Sequence, residues 1–93
     1  MKSGVVAVIR TDDPEIALTL ARGFNATSVD AIEVTMTVPN ALQVIEKLLA
    51  EGVTRLGGGT VRTIEQVQRL QSMGAALVLR QIWMKQFLKK LFG

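Results

Sequence analysis

The sequence predicts an α/β fold made of four consecutive strand–helix units, equivalent to half of an eight-stranded parallel barrel. Three observations support this fold class. Strand-like segments begin near residues 5, 31, 54 and 75, each interval contains helical periodicity, and 93 residues with 48% hydrophobic content suit one small domain. Repeated β-α-β order implies parallel strands joined by right-handed crossovers. A small open sheet is the alternative, although such sheets usually have a fifth strand.

The first unit has clear boundaries. Val5–Ile9 is an apolar, mostly β-branched run, typical of a parallel strand buried on both faces. Asp13, Pro14 and Glu15 then predict a helix start, because a capping carboxylate, an early proline and an acidic first turn all favour a helix N-terminus. This helix should extend to about residue 25, before a second strand at Ala31–Met36.

The second unit is marked by proline and glycine. Pro39 is predicted to open the second helix, and Gly52 to end it. Val53–Leu56 then predicts a short third strand, which leads into Gly57–Thr60.

The third helix begins with a capping box, in which Thr63 is followed by Gln66 three residues later. Gly74 is expected to end that helix, and Ala75–Leu79 is the predicted fourth strand. No stretch is apolar for long enough to span a membrane or to act as a signal peptide, so a cytoplasmic protein is expected.

Charge divides the chain into two predicted parts, a half-barrel over residues 1–79 and a cationic amphipathic tail over residues 80–93. The first part holds seven basic and eight acidic residues, and the tail holds four basic residues and no acidic one. Residues 82–92 have the spacing of a short amphipathic helix. That helix could cover the half-barrel or form an interface, could be accidental or engineered sequence, or could lie on an anionic membrane. One basic patch is a weak nucleic-acid footprint, so no nucleic-acid partner is expected.

The chain contains neither Cys nor His, which excludes disulfides, thiolate or imidazole metal sites and Ser–His catalysis. No metal and no cofactor are expected. Acid–base chemistry must therefore come from Asp, Glu, Lys or bound water.

Ligands of parallel α/β folds bind at the carboxyl ends of the strands, where the candidate residues fall. Alternation places Glu33 and Thr35 on the face that would line a barrel, and partial burial there would raise the pKa of Glu33 and suit it to proton transfer. An equally simple interpretation is a structural ion pair between Glu33 and Arg10. Arg10 could instead grip a carboxylate or phosphate, and Gly57–Thr60 could be an anion nest or a tight passage.

Three segments at this spacing, Val6–Arg10, Ala31–Thr35 and Gly57–Val61, resemble the 2-dehydro-3-deoxy-phosphogluconate (KDPG) / 4-hydroxy-2-oxoglutarate aldolase family. The resemblance covers about residues 4–79. It implies the N-terminal half of a TIM (β/α)₈ barrel, usually trimeric, and a metal-independent class I aldolase that cleaves a 2-keto-3-deoxy sugar acid to pyruvate and an aldehyde.

By this resemblance, Glu33 is the proton-transfer carboxylate. The substrate-binding candidates are Arg10, Thr35, Gly58, Gly59 and Thr60. Thr37 stands where some members have Arg, and no lysine matches the family's Schiff-base lysine, so the chain alone is expected to be truncated and inactive. The implied partners are a keto acid or pyruvate and further copies of the chain. Two alternatives remain, a non-catalytic module in which half-barrels pair, and a phosphate-binding half-barrel like the sugar-phosphate isomerases.

Overall fold

The structure is a computed structural model that describes the backbone of residues 5–79 and 82–83 and the side chains of residues 5–76. Strands and helices alternate along the chain, except that the last two described strands are consecutive. Their bounds are β1 Val6–Ile9, α1 Pro14–Asn25, β2 Ala31–Thr35, α2 Ala41–Ala50, β3 Leu56–Gly59, α3 Ile64–Ser72, β4 Ala76–Leu79 and β5 Ile82–Trp83.

The strands form one sheet in the order β1-β2-β3-β4-β5, so each strand lies beside its predecessor in the chain. The first four strands are parallel, and β5 is antiparallel to β4. Sequential order without reversal is the arrangement of a barrel wall, whereas a doubly wound sheet reverses its order. The parallel α/β part of the predicted fold is therefore present.

The fourth predicted unit differs from the expectation, because β4 is followed by a strand. Ile82 and Trp83 were expected to begin an amphipathic helix, and they form β5 instead. Only two residues separate β4 from β5, and a short link joins antiparallel neighbours, whereas a parallel crossover needs a dozen residues or more. The rest of the predicted tail, residues 84–93, lies outside the described residues.

The helices cover one face of the sheet and build the core there. Its largest fully buried apolar side chains come from both layers and include Ile9, Val34, Ile45, Leu48, Val67 and Leu70. The predicted burial of β1 on both faces is wrong. Val6 and Val8 are 45% and 55% exposed, because alternation turns them away from the helices.

Two predicted helix starts are confirmed by their capping hydrogen bonds. Asp13 Oδ1 accepts from the Glu15 amide at 2.8 Å, and Thr63 Oγ1 accepts from the Gln66 amide at 3.1 Å. The second helix begins later than expected. Its cap is Asn40, in the left-handed region at φ 57°, so Pro39 lies outside α2.

The third strand lies three residues further along than the expected Val53–Leu56. It comprises Leu56–Gly59 and pairs with β2 through Ile32–Leu56 and Thr35–Gly59. Glycine is depleted in strands, so local propensity favours ending the strand before Gly57, as predicted from the sequence. Here the missing side chains leave room for neighbours on both faces of the sheet.

Candidate functional site

The candidate site lies at the carboxyl ends of β1, β2 and β3. Glu33 occupies β2 between Val8 of β1 and Gly57 of β3, on the face without helices. Arg10 follows the last residue of β1, and Thr60 follows the last residue of β3. Parallel strands bring these ends to one edge, so three residues separated by 50 positions in sequence become neighbours.

The carboxylate of Glu33 leans toward this edge and lies over Gly59. A Cβ on Gly59 would collide with the Glu33 carboxylate and would approach Glu33 Cγ to 2.9 Å. Burial raises the pKa of Glu33, and the nearby charge of Arg10 lowers it by less. The result is a carboxyl group that holds its proton to higher pH than usual, a property suited to proton transfer.

Arg10 interacts with Thr60 and forms no ion pair with Glu33. Its Nη2 donates a hydrogen bond of 3.4 Å to Thr60 Oγ1. Among the described side chains the ion pairs are Arg22–Glu51 and Arg55–Asp30, so the structural ion pair considered for Glu33 and Arg10 is not formed there. The guanidinium of Arg10 therefore keeps most of its donors available to a ligand.

Thr60 has an unusual backbone conformation. Its φ is 53°, in the left-handed region that β-branched residues rarely adopt. Strain of this kind costs about 1–3 kcal/mol and persists where the surrounding structure enforces it. The left-handed backbone of Thr60 places its hydroxyl group at the edge of the sheet, where Arg10 donates a hydrogen bond to that hydroxyl.

The other candidate residues occupy different positions. Thr35 is buried, and its hydroxyl hydrogen-bonds that of Thr37 at 2.6 Å. Thr37 was considered only as a departure from the family pattern, although the Thr-Met-Thr alternation placed both hydroxyls on one face. Gly58 faces the helices, since a Cβ there would lie 2.7 Å from Leu70 Cδ1. The backbone of β3 therefore lies between that position and the face that carries Glu33.

A broad groove extends from Glu33 toward the amino-terminal edge of the sheet. Its volume is about 760 Å³, and its lining is mostly apolar, including Val6, Val8, Ala31, Gly57 and Ala76. The groove is the open face that a complete barrel would enclose as its interior. Arg10 and Thr60 lie outside it, so the polar edge and the apolar groove meet at Glu33.

The described residues supply acid–base and anion-binding groups. Glu33 can exchange a proton, and Arg10 can bind a carboxylate through two parallel N–H donors. Among residues 5–79, no group of three or more carboxylates is placed to hold a metal ion. The lysine in this range, Lys47, is exposed on α2, in the layer on the opposite side of the sheet from Glu33.

The fold and the edge residues together define a parallel α/β protein of the barrel type, with a partly buried carboxyl group near the carboxyl end of a strand. A family model described as "Aldolase: KDPG and KHG aldolase" matches residues 1–91. The chain belongs to the KDPG and KHG aldolase family. The match extends beyond the 4–79 range of the sequence motifs, and the family comprises lyases that act on small molecules. Comparison with curated proteins gives no match to the chain.

None of the helices within residues 5–79 is both long enough and apolar enough to cross a membrane.

Proposed function

We propose that this chain carries the proton-transfer and keto-acid-binding part of a class I aldolase site. The observation that supports the proposal best is the placement of the Glu33 carboxylate over Gly59, beside Arg10 and Thr60. In this proposal Arg10 and Thr60 bind the carboxylate of a 2-keto acid, and Glu33 moves protons at the neighbouring carbon and oxygen atoms.

The proposed reaction is retro-aldol cleavage of a 2-keto-3-deoxy sugar acid, with or without a phosphate, to pyruvate and an aldehyde. A lysine imine of the substrate accepts the electron pair of the breaking carbon–carbon bond and becomes an enamine. Glu33 takes the proton of the substrate hydroxyl as the aldehyde forms, and later returns a proton to the enamine carbon. Water then hydrolyses the imine and releases pyruvate.

The imine step requires a lysine near Glu33. Within residues 5–79 the lysine is Lys47, which is exposed in the helix layer across the sheet, and by the family resemblance no lysine elsewhere in the sequence matches the Schiff-base position. We therefore propose that the 93-residue chain alone binds pyruvate without forming an imine. Incubation with pyruvate and borohydride, followed by mass spectrometry, is expected to show no covalent adduct. A pyruvyl adduct on one specific lysine would contradict this part of the proposal.

Binding is tested separately by titrating the chain with millimolar pyruvate while amide shifts are recorded. Saturable shifts are expected near Gly59 and Thr60, and they should be lost in Arg10→Ala. Arg69→Ala is the matched control, because Arg69 is exposed on α3. Equal shifts in both variants would show that the binding site does not include Arg10, and would reject the proposed site.

Pairing of two half-barrels is less well supported. The exposed valines of β1 indicate that the face of the sheet without helices is suited to contact with another surface. Closing a ring of eight parallel strands, however, would require the free edge of β4. That edge is already paired with β5 in antiparallel orientation. A phosphate-binding role for Gly57–Thr60 also lacks support, because two of its glycines are packed against Leu70 and Glu33.

A further inference from the structure

The face of the sheet opposite the helices, hereafter the open face, is apolar and uncovered among the described residues. One row across it is set by the register Val8–Glu33–Gly57–Ala76. Val8 is 55% exposed, and Val6 beside it is 45% exposed. Parallel sheets are normally covered on both faces, because both carry apolar side chains. The groove of about 760 Å³ on this face therefore needs an occupant.

The direction of β5 indicates which part of the chain is nearest. β5 is antiparallel to β4, with Leu79 opposite Ile82 and Val78 opposite Trp83. β5 thus runs toward the amino-terminal edge of β4. Gly74, Ala75 and Ala76 lie at that edge and line the groove. Trp83, from which residues 84–93 continue in the sequence, belongs to the strand next to β4 and so lies on that side of the groove.

The length of this segment matches the width of the sheet. The segment continues from β5, and four strand spacings separate β5 from β1, which amounts to about 19 Å. Ten residues span about 15 Å as a helix and about 33 Å when extended. Residues 84–93 can therefore reach from Trp83 to Val6 and Val8 when the segment is at least partly extended.

The chemistry of the segment also matches the groove. Half of its residues are large and apolar, namely Met84, Phe87, Leu88, Leu91 and Phe92. Its charged residues are all lysines, Lys85, Lys89 and Lys90. The charged groups that line the groove are Glu33 and the ion pair between Asp30 and Arg55. An apolar segment with lysines therefore complements an apolar groove in which Glu33 is the charged group outside that ion pair.

We propose that residues 84–93 dock on the open face, with their aromatic and aliphatic side chains against Val6 and Val8. The segment takes the place of a barrel interior over the apolar part of the groove. The edge that carries Arg10 and Thr60 stays accessible, because these residues lie outside the groove. This inference concerns a surface of the chain and does not depend on the proposed catalytic role.

Methyl–aromatic nuclear Overhauser effects in the full chain test the proposal. The aromatic residue of the described core is Phe24, which packs on the helix side. Contacts from the rings of Phe87 and Phe92 to the methyl groups of Val6 and Val8 are expected. In Phe87→Ala/Phe92→Ala these contacts should vanish and the valine methyl shifts should move. The buried Ile9 methyl shifts on the helix side are the internal control and should stay.

Isotope-filtered spectra and dilution distinguish docking of the chain's own segment from docking of a second copy of the chain. Contacts within one molecule that survive dilution support the proposal. Contacts between molecules that weaken on dilution would identify a second copy as the cover and overturn it. Valine methyl groups that show no contact to Phe87 or Phe92, with shifts identical in the double variant, would also overturn it.

Discussion

The carboxylate of Glu33 lies over Gly59, in the space that a methyl group on that residue would occupy. Gly59 has no positive φ, so its conformation does not require glycine. Residue 59 has no room for a side chain because the side chain of Glu33 crosses β3 at that position. Gly59 is thus a positioning residue for the carboxylate, and its neighbour Gly58 serves the opposite face of the sheet.

Gly59→Ala is expected to displace Glu33 while the fold persists. The clashing atoms belong to a flexible side chain on an open face, so the side chain can rotate outward into solvent. The burial that raises the pKa of Glu33 is then reduced, and the pKa should fall toward its ordinary value. Carboxyl carbon shifts followed against pH measure this change. An unchanged pKa in the folded variant would contradict the positioning role.

Gly58→Ala is expected to destabilise the fold, although it is the same substitution one residue away. Its methyl group would lie 2.7 Å from Leu70 Cδ1 and 3.0 Å from Met36 Cε, inside the core. Overpacking of this kind costs about 1–3 kcal/mol in the free energy of unfolding, measured by urea denaturation. Combining it with Leu70→Val should recover part of the loss.

Gly23→Ala is the matched control for both glycine substitutions. Nothing lies within 4 Å of a Cβ at this exposed position of α1. The free energy of unfolding should rise by about 0.5–1 kcal/mol, because alanine has the higher helix propensity. A loss in this control equal to that in Gly58→Ala would refute the packing explanation.

Glu33→Gln should remove a pH dependence from the stability. Because the folded-state pKa of Glu33 is raised above the ordinary 4.5, its ionisation favours unfolding. The parent therefore loses stability as pH rises from 4.5 through the raised folded pKa, and the amide variant does not. Urea denaturation across this window should show the variant gaining on the parent as pH increases. A difference that stays flat, or runs the other way, would contradict the raised pKa.

Glu51→Gln should behave with the opposite sign. Arg22 donates two hydrogen bonds to Glu51, of 3.0 and 2.7 Å, and thereby lowers the pKa of that carboxyl group. Its stabilising effect is present above the ordinary carboxyl pKa and is lost as pH falls through the lowered folded value. The variant should be slightly less stable than the parent at neutral pH. High salt should shrink that gap, because both side chains are exposed.

Thr60→Gly and Thr60→Ala separate backbone strain from the hydroxyl group. Both variants lose the hydrogen bond from Arg10, and only glycine relieves the left-handed backbone at φ 53°. Thr60→Gly should be more stable than Thr60→Ala by about 1 kcal/mol, since the relief of strain exceeds the entropy cost of glycine. Thermal unfolding of the two variants gives the comparison. Equal stability would mean that residue 60 is not held in the left-handed region.

Local signals in the sequence predicted much of this fold. The caps Asp13 and Thr63 act through hydrogen bonds to residues only two or three positions away, so the sequence contains both partners. The third strand was misplaced because glycine propensity argues against a strand, while pairing with β2 places Leu56–Gly59 in the sheet. The antiparallel β5 was missed for a similar reason, since helical spacing in residues 82–92 favours a helix and pairing with β4 prevails at Ile82–Trp83.

For the candidate site, the sequence by itself determined the residue types, their strand ends and the family resemblance. It identified Glu33, Arg10 and Thr60 as candidates because each stands at or near the carboxyl end of a predicted strand. The tertiary structure alone decided that Arg10 meets Thr60 and forms no ion pair with Glu33, and that Glu33 lies over Gly59. Those relationships depend on contacts across neighbouring strands. Their geometry is set by sheet register and side-chain packing, which no local pattern encodes.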